Sequence, residues 1–358
     1  MADGDAPRGP ATVAVTGVGG LIGRRLVAEL DGQDGVGRIL GLDVRTPEGL
    51  ASTKLDLRHA DVREPDLADV LAGVDVVVHL AFQLDPIADE ALMRAINIDG
   101  TRNVFEAAAA AGVRKVVYVS SGVVYGAHPD NDFPLTEDSP VRANPDFNYA
   151  EHKAEIEQWL AGWTPSHPEL TVTILRPSIV AGPGVQNFIT RLMEQPRFTA
   201  VRGHRPPMQF AHVDDVASAL AHAVVEDLPG AYNVTSEGWL SFDEVTAIGG
   251  AKVAWVPEEL AFSMAERMWR MGLGESPPGF VHYVMHPWVL SVDKLTATGW
   301  RPKHSNRDAL VELVEEHRDY VSLGRMRAER SKVRAVLAGV GALLAAIVWR
   351  ARRSPEAR

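Results

Sequence analysis

A glycine turn limits this chain more than any other feature. The apolar run ATVAV leads into Thr16-Gly17-Val18-Gly19-Gly20-Leu21-Ile22-Gly23 and then into the helix-forming LVAEL. The spacing G-x-x-G-x-x-G sets Gly17 at a tight strand-to-helix turn. Gly20 lets backbone come close to a pyrophosphate, and Gly23 lets the helix sit against a sheet. The helix start at Leu21 and Ile22 turns free N–H groups and a positive dipole end toward phosphate. The next apolar run, RILGLD, ends in Asp43, 20 residues after Gly23. A carboxylate there can hold both ribose hydroxyls and repels a 2′-phosphate, which favours NAD over NADP. Arg45 works the other way, since a guanidinium can accept that phosphate. The bland alternative is a structural turn and a solvated aspartate.

Apolar runs and helix-like stretches go on alternating: VDVVVHLAF, a helix through Ile96 to Ala111, then KVVYVSS. Continuous Val/Ile/Leu runs suit parallel strands buried on both faces, with helices as crossovers. The reading is α/β, a doubly wound parallel sheet with a smaller C-terminal substrate lobe and a C-terminal apolar helix. A loose leader covers residues 1–10, the dinucleotide-binding domain 11–182, the lobe 183–324 and a basic tail 325–358. Two segments within about 209–236, QFAHVDDVASALAHAV and GAYNVTS, are expected to return to the sheet.

Three side chains can do chemistry. Ser121 ends KVVYVSS, and Tyr149 and Lys153 stand four apart in YAEHK, on one helix face. A free phenol, with pKa about 10, is a poor base at neutral pH. A nearby ammonium and the positive ring of an oxidised nicotinamide are expected to pull it down. Ser121, at a strand's C-terminal end, can hold the substrate oxygen, because ligands of open α/β sheets bind outside those ends. Taken alone, Y-x-x-x-K is also the pattern of a solvated helix face.

In combination these marks resemble the extended short-chain dehydrogenases/reductases, the family of NAD-dependent sugar epimerases and dehydratases and of 3β-hydroxysteroid dehydrogenases. The resemblance runs from about Ala11 to Tyr320. It is carried by TGVGGLIG, Asp43, Asp56-Leu57, VDVVVHLAF, NIDGTRNVFEAA, VVYVSSGVVYG, YAEHK, LRPSIVAGPG and FAHVDDVA. It implies a Rossmann fold binding NAD, with Gly17, Gly20 and Gly23 at the pyrophosphate and Asp43 at the adenosine ribose. Asp56 and Leu57 would lie near the adenine, Leu80 and Ala81 along the cofactor groove, and Pro177 and Ile179 at the carboxamide end. Asn97 would order the catalytic neighbourhood. Tyr149 would be the acid/base, Lys153 the holder of the nicotinamide ribose, and Ser121 the ligand of the reacting oxygen. His152 departs from the serine common before that lysine. Gly122-Val123 replace the Asp-Glu pair of 4,6-dehydratases, which argues against dehydration. Asn187 and Arg205 can be remnants of a nucleotide-diphosphate site or plain surface residues.

No metal is expected. His282 and His286 have i, i+4 spacing but no accompanying glutamate, and Pro287 follows. Asp214-Asp215 reads as the start of a helix. Most of the Met- and aromatic-rich stretch from Trp255 to Trp288 is expected in a core, and some of it against an apolar substrate. The chain has 358 residues and no cysteine, so disulfides, zinc–thiolate sites and a cysteine nucleophile are excluded. Net charge is −11; nine basic and two acidic residues from Arg325 onward leave −18 on residues 1–324. An acidic body repels nucleic acid.

In the tail, Ala335 to Trp349 are uncharged and arginines flank them. As a helix the run is roughly 22 Å long against a hydrocarbon core of about 30 Å. Contact with a membrane surface is expected, and docking on protein is the alternative. The activity expected is oxidoreduction or epimerisation at a secondary alcohol or ketone, most like a nucleotide-sugar epimerase. The alternatives are a membrane-associated dehydrogenase of a sterol-like or lipid-linked substrate, a non-catalytic dinucleotide sensor, and a membrane scaffold. The location expected is cytoplasmic, peripheral at the inner face of a membrane. A homodimer through two helices per subunit is the family habit.

Overall fold

The computed structural model describes residues 9–353, except 86, 88, 196, 251, 275, 324 and 325. Most of the expected leader, Arg325 and residues 354–358 therefore lie outside the described residues. The first six strands are β1 (Ala11–Thr16), β2 (Val36–Asp43), β3 (Leu55–His59), β4 (Val76–His79), β5 (Lys115–Val119) and β6 (Thr171–Pro177). Shorter strands follow: β7 (Ile179–Ala181), β8 (Arg197–Val201), β9 (Phe210–His212), β10 (Gly230–Val234), β11 (Lys252–Val256), β12 (Tyr320–Leu323) and β13 (Met326–Glu329). The helices of the first half are α1 (Leu21–Asp31), α2 (Leu67–Val70), α3 (Glu90–Arg94), α4 (Gly100–Ala110) and α5 (Asn148–Trp163). After them come α6 (Phe188–Met193), α7 (Val213–Val225), α8 (Phe242–Gly249) and α9 (Glu258–Arg270). Then α10 (Asp293–Thr296), α11 (Asn306–His317) and α12 (Arg330–Arg353) complete the order.

Seven strands form one parallel sheet in the order β10-β6-β5-β4-β1-β2-β3. This is the doubly wound Rossmann arrangement. The order reverses between β1 and β4, and a crevice opens at such a switch point beyond the strand ends. Both faces are covered, as the unbroken apolar strands require. On one face α1 and α7 bury Leu26, Leu30, Val216 and Leu220; on the other α4 and α5 bury Val104, Phe105, Ile156 and Leu160. GAYNVTS returns to the sheet as its edge strand β10. QFAHVDD instead gives β9, paired with β7 outside the main sheet, and its two aspartates fall in the first turn of α7, which His212 caps.

Two helices depart from expectation. The one expected from Ile96 starts at Glu90, where the Asp89 side chain accepts from the Leu92 N–H. It also holds a π-turn over Ala95–Asp99. The apolar run of the tail lies within the longer α12, whose described apolar residues are largely exposed. Among the described residues no helix is long and apolar enough to cross a membrane.

Candidate active site

At the crevice the β1–α1 turn is packed as closely as its glycines suggest. Gly17 has φ +68°, and a Cβ there would stand 2.8 Å from the Ala81 nitrogen. A Cβ on Gly23 would meet the Val18 carbonyl oxygen at 2.7 Å and that of Gly17 at 2.8 Å. Only glycine lets the turn, the end of β4 and the start of α1 close to this distance. The loop after β4 is pinned in turn: the Thr16 hydroxyl accepts from the Leu80 and Ala81 N–H groups, both at 3.2 Å. Thr16 also pairs with His79 at 2.7 Å, and His79 with Thr101 at 3.0 Å. Burial pushes the His79 pKa down to about 3, so the ring is neutral.

At the end of β2 the Asp43 carboxylate accepts from the Gly19 N–H at 2.9 Å and the Arg45 N–H at 3.0 Å. It is thereby fixed beside the glycine turn. A glycine cradle with a carboxylate at its rim fits a dinucleotide with an unphosphorylated ribose. Asp56 sits on β3 beside Arg38 and Arg58, and the hydrogen bond from Arg38 holds its pKa below the usual carboxylate range. Its neighbour Leu57 packs against the core.

Below the turn lies a cavity of about 370 Å³. Gly17, Gly20, Leu21, Ile22, Gly23 and Leu80 line it from the expected cofactor side, together with Pro177 and Ile179. Ser121, Tyr149 and Lys153 line it too, so the structure brings the three reactive candidates together. Ser121 caps a short 3-10 turn after β5, where its Oγ accepts from the Val123 N–H. Tyr149 and Lys153 share the inner face of α5, and the Ser121 hydroxyl is close enough to the Tyr149 phenol to pull its pKa down.

The electrostatics differ from expectation. Burial pushes the Tyr149 pKa up to about 12, against the pull of the Ser121 hydroxyl. The cation does not offset this, because Lys153 is turned toward other groups. Its Nζ donates to the Val119 carbonyl at 2.6 Å and stands 3.4 Å from the Phe82 ring centre, but 5.9 Å from that of Tyr149. Burial in turn pushes the Lys153 pKa well down.

Asn97 does not line the cavity. Its Oδ1 accepts from the Gln83 N–H at 2.7 Å, and its Nδ2 donates to the Gln83 carbonyl at 3.1 Å and lies 3.2 Å from His152 Nδ1. The π-turn in which it sits points it at both partners, tying the loop that carries Phe82 to the helix that carries Tyr149. His152 thus has a packing role. Asn187 borders the cavity, but its Oδ1 is taken up capping α6 through the Ile189 and Thr190 N–H groups. Arg205 does not line this cavity. It pairs with Asp243 at 2.9 Å and packs over Phe242 and Trp255, in a separate cleft with Arg202. The strand pair β8–β11 carries it there.

Sequence reasoning missed much of the cavity wall. Leu84, Phe147 and Phe188 were not singled out, and they line the cavity together with Phe280 and Trp288 of the stretch expected in part against an apolar substrate. Phe82 closes the run VDVVVHLAF and Phe147 stands two residues before Tyr149, so their positions carried some signal. The Met-rich stretch splits: Tyr283 and Met285 are buried as expected, while Met264, Met268 and Met271 are exposed. His282 lies in a 3-10 turn, with its ring centre 6.5 Å from that of His286. Among the described residues, His212, Asp214 and His304 bring possible metal-ligating atoms within 4.8 Å of one another. The two imidazoles stack face to face at 3.7 Å, however, so one ion cannot lie in both ring planes, and Asp214 pairs with Arg25 at 3.2 Å.

The fold and its glycine-lined crevice define a dinucleotide-dependent class of protein. The chain belongs to the NAD dependent epimerase/dehydratase family, whose model matches residues 13–235. It is 34% identical over 231 residues to the UDP-glucose 4-epimerase of Mycolicibacterium smegmatis, covering 58% of this chain and 72% of that protein. It is 32% identical over 231 residues to short-chain dehydrogenase/reductase family 42E member 1 of Xenopus laevis, covering 59% of this chain and 58% of that one. The structure of the Thermus thermophilus UDP-glucose 4-epimerase in complex with NAD superposes with a TM-score of 0.65 at 25% identity, over 86% of this chain and 99% of that one.

Proposed function

We propose that this chain is an NAD-dependent oxidoreductase of a secondary alcohol or its ketone, and that the molecule it turns over is uncharged and largely apolar. In this reading the backbone at Gly17, Gly20 and Gly23 receives the pyrophosphate, Asp43 holds the adenosine ribose, and Lys153 holds the nicotinamide ribose. NAD, when bound, supplies a hydride acceptor and, in its oxidised form, a positive ring. Ser121 holds the alcohol oxygen while the Tyr149 phenolate takes its proton; in the reverse direction the phenol returns it. A ketone that turns over before it is reduced gives net epimerisation, and one that leaves makes the enzyme a dehydrogenase.

One observation carries the substrate class. Among the described residues lining the cavity, Lys153 is the one cation, and it is committed to the Val119 carbonyl. The wall beyond Tyr149 is aromatic and aliphatic. A nucleotide diphosphate would bring two negative charges against it, and burying them without cationic partners is costly. A nucleotide-sugar epimerase is the second reading, favoured by the likeness to two UDP-glucose 4-epimerases. We take the enzyme to be cytoplasmic and homodimeric, with its tail peripheral at a membrane.

The test presents the purified chain and NAD with a panel of apolar secondary alcohols and, separately, with UDP-glucose. NADH absorbance with the apolar alcohols, and no UDP-galactose from UDP-glucose, is the expected result. UDP-galactose formation would overturn the substrate class and leave the Tyr149 chemistry standing.

A further inference from the structure

Away from the cavity, α9 and α12 each carry a row of exposed apolar side chains among the described residues. Leu260, Met264 and Met268 on α9, with Met271 and Leu273 just beyond it, are 36–54% exposed. No described residue of α9 is buried. The first four recur three or four apart, which places them on one side of the helix. On α12, Val336, Val340, Leu344 and Val348 follow one another at intervals of four and are 50–65% exposed. Single exposed apolar side chains need no explanation, but two such stripes mark an interaction surface.

Both helices are tied to the same end of the cavity. α9 packs against the turn that holds Phe280, where its Phe262 lies 5.0 Å from the His282 ring centre. α12 continues from β13, whose Arg327 pairs at 2.8 Å with Glu194 at the end of α6. Ser322 of β12 also donates to Glu194. Phe188, which opens α6, meets Phe280 edge to face at 5.2 Å, and both rings line the cavity.

We infer that α9 and α12 form one surface that docks on an anionic lipid bilayer. Charge selects this occupant. Residues 1–324 carry −18, so an anionic surface repels most of the molecule. The apolar run of α12 is instead preceded by Arg330, Lys332 and Arg334 and followed by Arg350, Arg352 and Arg353. Basic residues flanking an apolar helix meet anionic headgroups while the apolar stretch enters the acyl boundary. The uncharged run Ala335 to Trp349, roughly 22 Å long as a helix, is short of a hydrocarbon core of about 30 Å, and in this proposal α12 lies along the interface. α9 then brings its methionines, adaptable to an irregular surface, beside the aromatic wall of the cavity. The docking goes beyond the reaction proposed above and does not depend on it.

Sedimentation of the full chain with lipid vesicles tests this without any substrate. Binding to phosphatidylglycerol–phosphatidylcholine vesicles is expected, falling by about tenfold or more on phosphatidylcholine alone and in high salt. A variant ending at Glu329 should lose binding. The double variant Met264→Gln/Met268→Gln should bind about tenfold more weakly, with NAD binding unchanged as the control for folding. Several outcomes overturn the inference: no sedimentation above the vesicle-free control, equal binding to both vesicle types, or full binding by either variant. A dimer that dissociates on removal of α12, in a chain that ignores vesicles, would assign the surface to a second copy instead.

Discussion

Tyr149 shows how burial and function oppose each other in one side chain. Its pKa, pushed up to about 12, keeps the phenol protonated at neutral pH, ready as an acid and scarce as a base. The sign of the pH dependence follows. In the proposed reaction alcohol oxidation needs the phenolate, whose share grows about tenfold per pH unit below the pKa, so kcat/KM should climb with pH from about 7 to about 9. Ketone reduction uses the phenol and should stay flat over that range in a buffered steady-state assay. His79 gives a second sign. Its ordinary pKa of 6.5 falls to about 3 in the folded protein, so the unfolded chain binds the extra proton. Stability should be intact above pH 6.5 and drain away as pH falls toward 3, and the loss should be smaller in His79→Gln, read by thermal melts. The motif spacing made Tyr149, Lys153 and Ser121 legible. It could not show where the lysine points, because that depends on Phe82 and the Val119 carbonyl, which meet it only in three dimensions.

Among the elements, the β1–α1 turn and α5 are held by different means. The turn is held by missing atoms: Gly23→Ala would set a Cβ against two carbonyl oxygens. It should cost about 1–3 kcal/mol in a denaturant melt and weaken NAD binding measured by titration. Helix α5 is held by charge. Glu157, buried, accepts from the Ser120 hydroxyl and from Nε and Nη2 of Arg176 on β6, whose Nη1 donates to the Tyr125 hydroxyl. Removing one partner strands the other, so Arg176→Met should cost about 3–5 kcal/mol, and Arg176→Met/Glu157→Leu should recover much of that. Strand and helix alternation could be read from apolar periodicity, because each element buries a face whose spacing is written in the chain. The π-turn at Asn97 could not be. It adds no apolar signal and is fixed by partners far along the sequence, Gln83 and His152.

Over the whole molecule, the sheet order puts the switch point between β1 and β4, so the glycine turn, the strand carrying Ser121 and helix α5 converge on one crevice. That convergence was implied by the order of motifs along the chain. The lobe was harder to read. Its aromatic residues divide between a cavity wall and a core, Met264, Met268 and Met271 face outward while Met285 is buried, and Arg205 lies in another cleft; composition alone does not say which way a short helix faces. The resulting molecule pairs a conventional dinucleotide crevice with an apolar pocket and an apolar flank. Its central claim is that the Tyr149 hydroxyl moves the proton while hydride passes to NAD. Rapid mixing of the NAD-loaded enzyme with a substrate alcohol, for the unchanged chain and for Tyr149→Phe, tests that claim most directly. The account predicts equal NAD affinity and a hydride-transfer rate lower by about 10²–10⁴ in the variant; equal rates of NADH formation in the two proteins would contradict it.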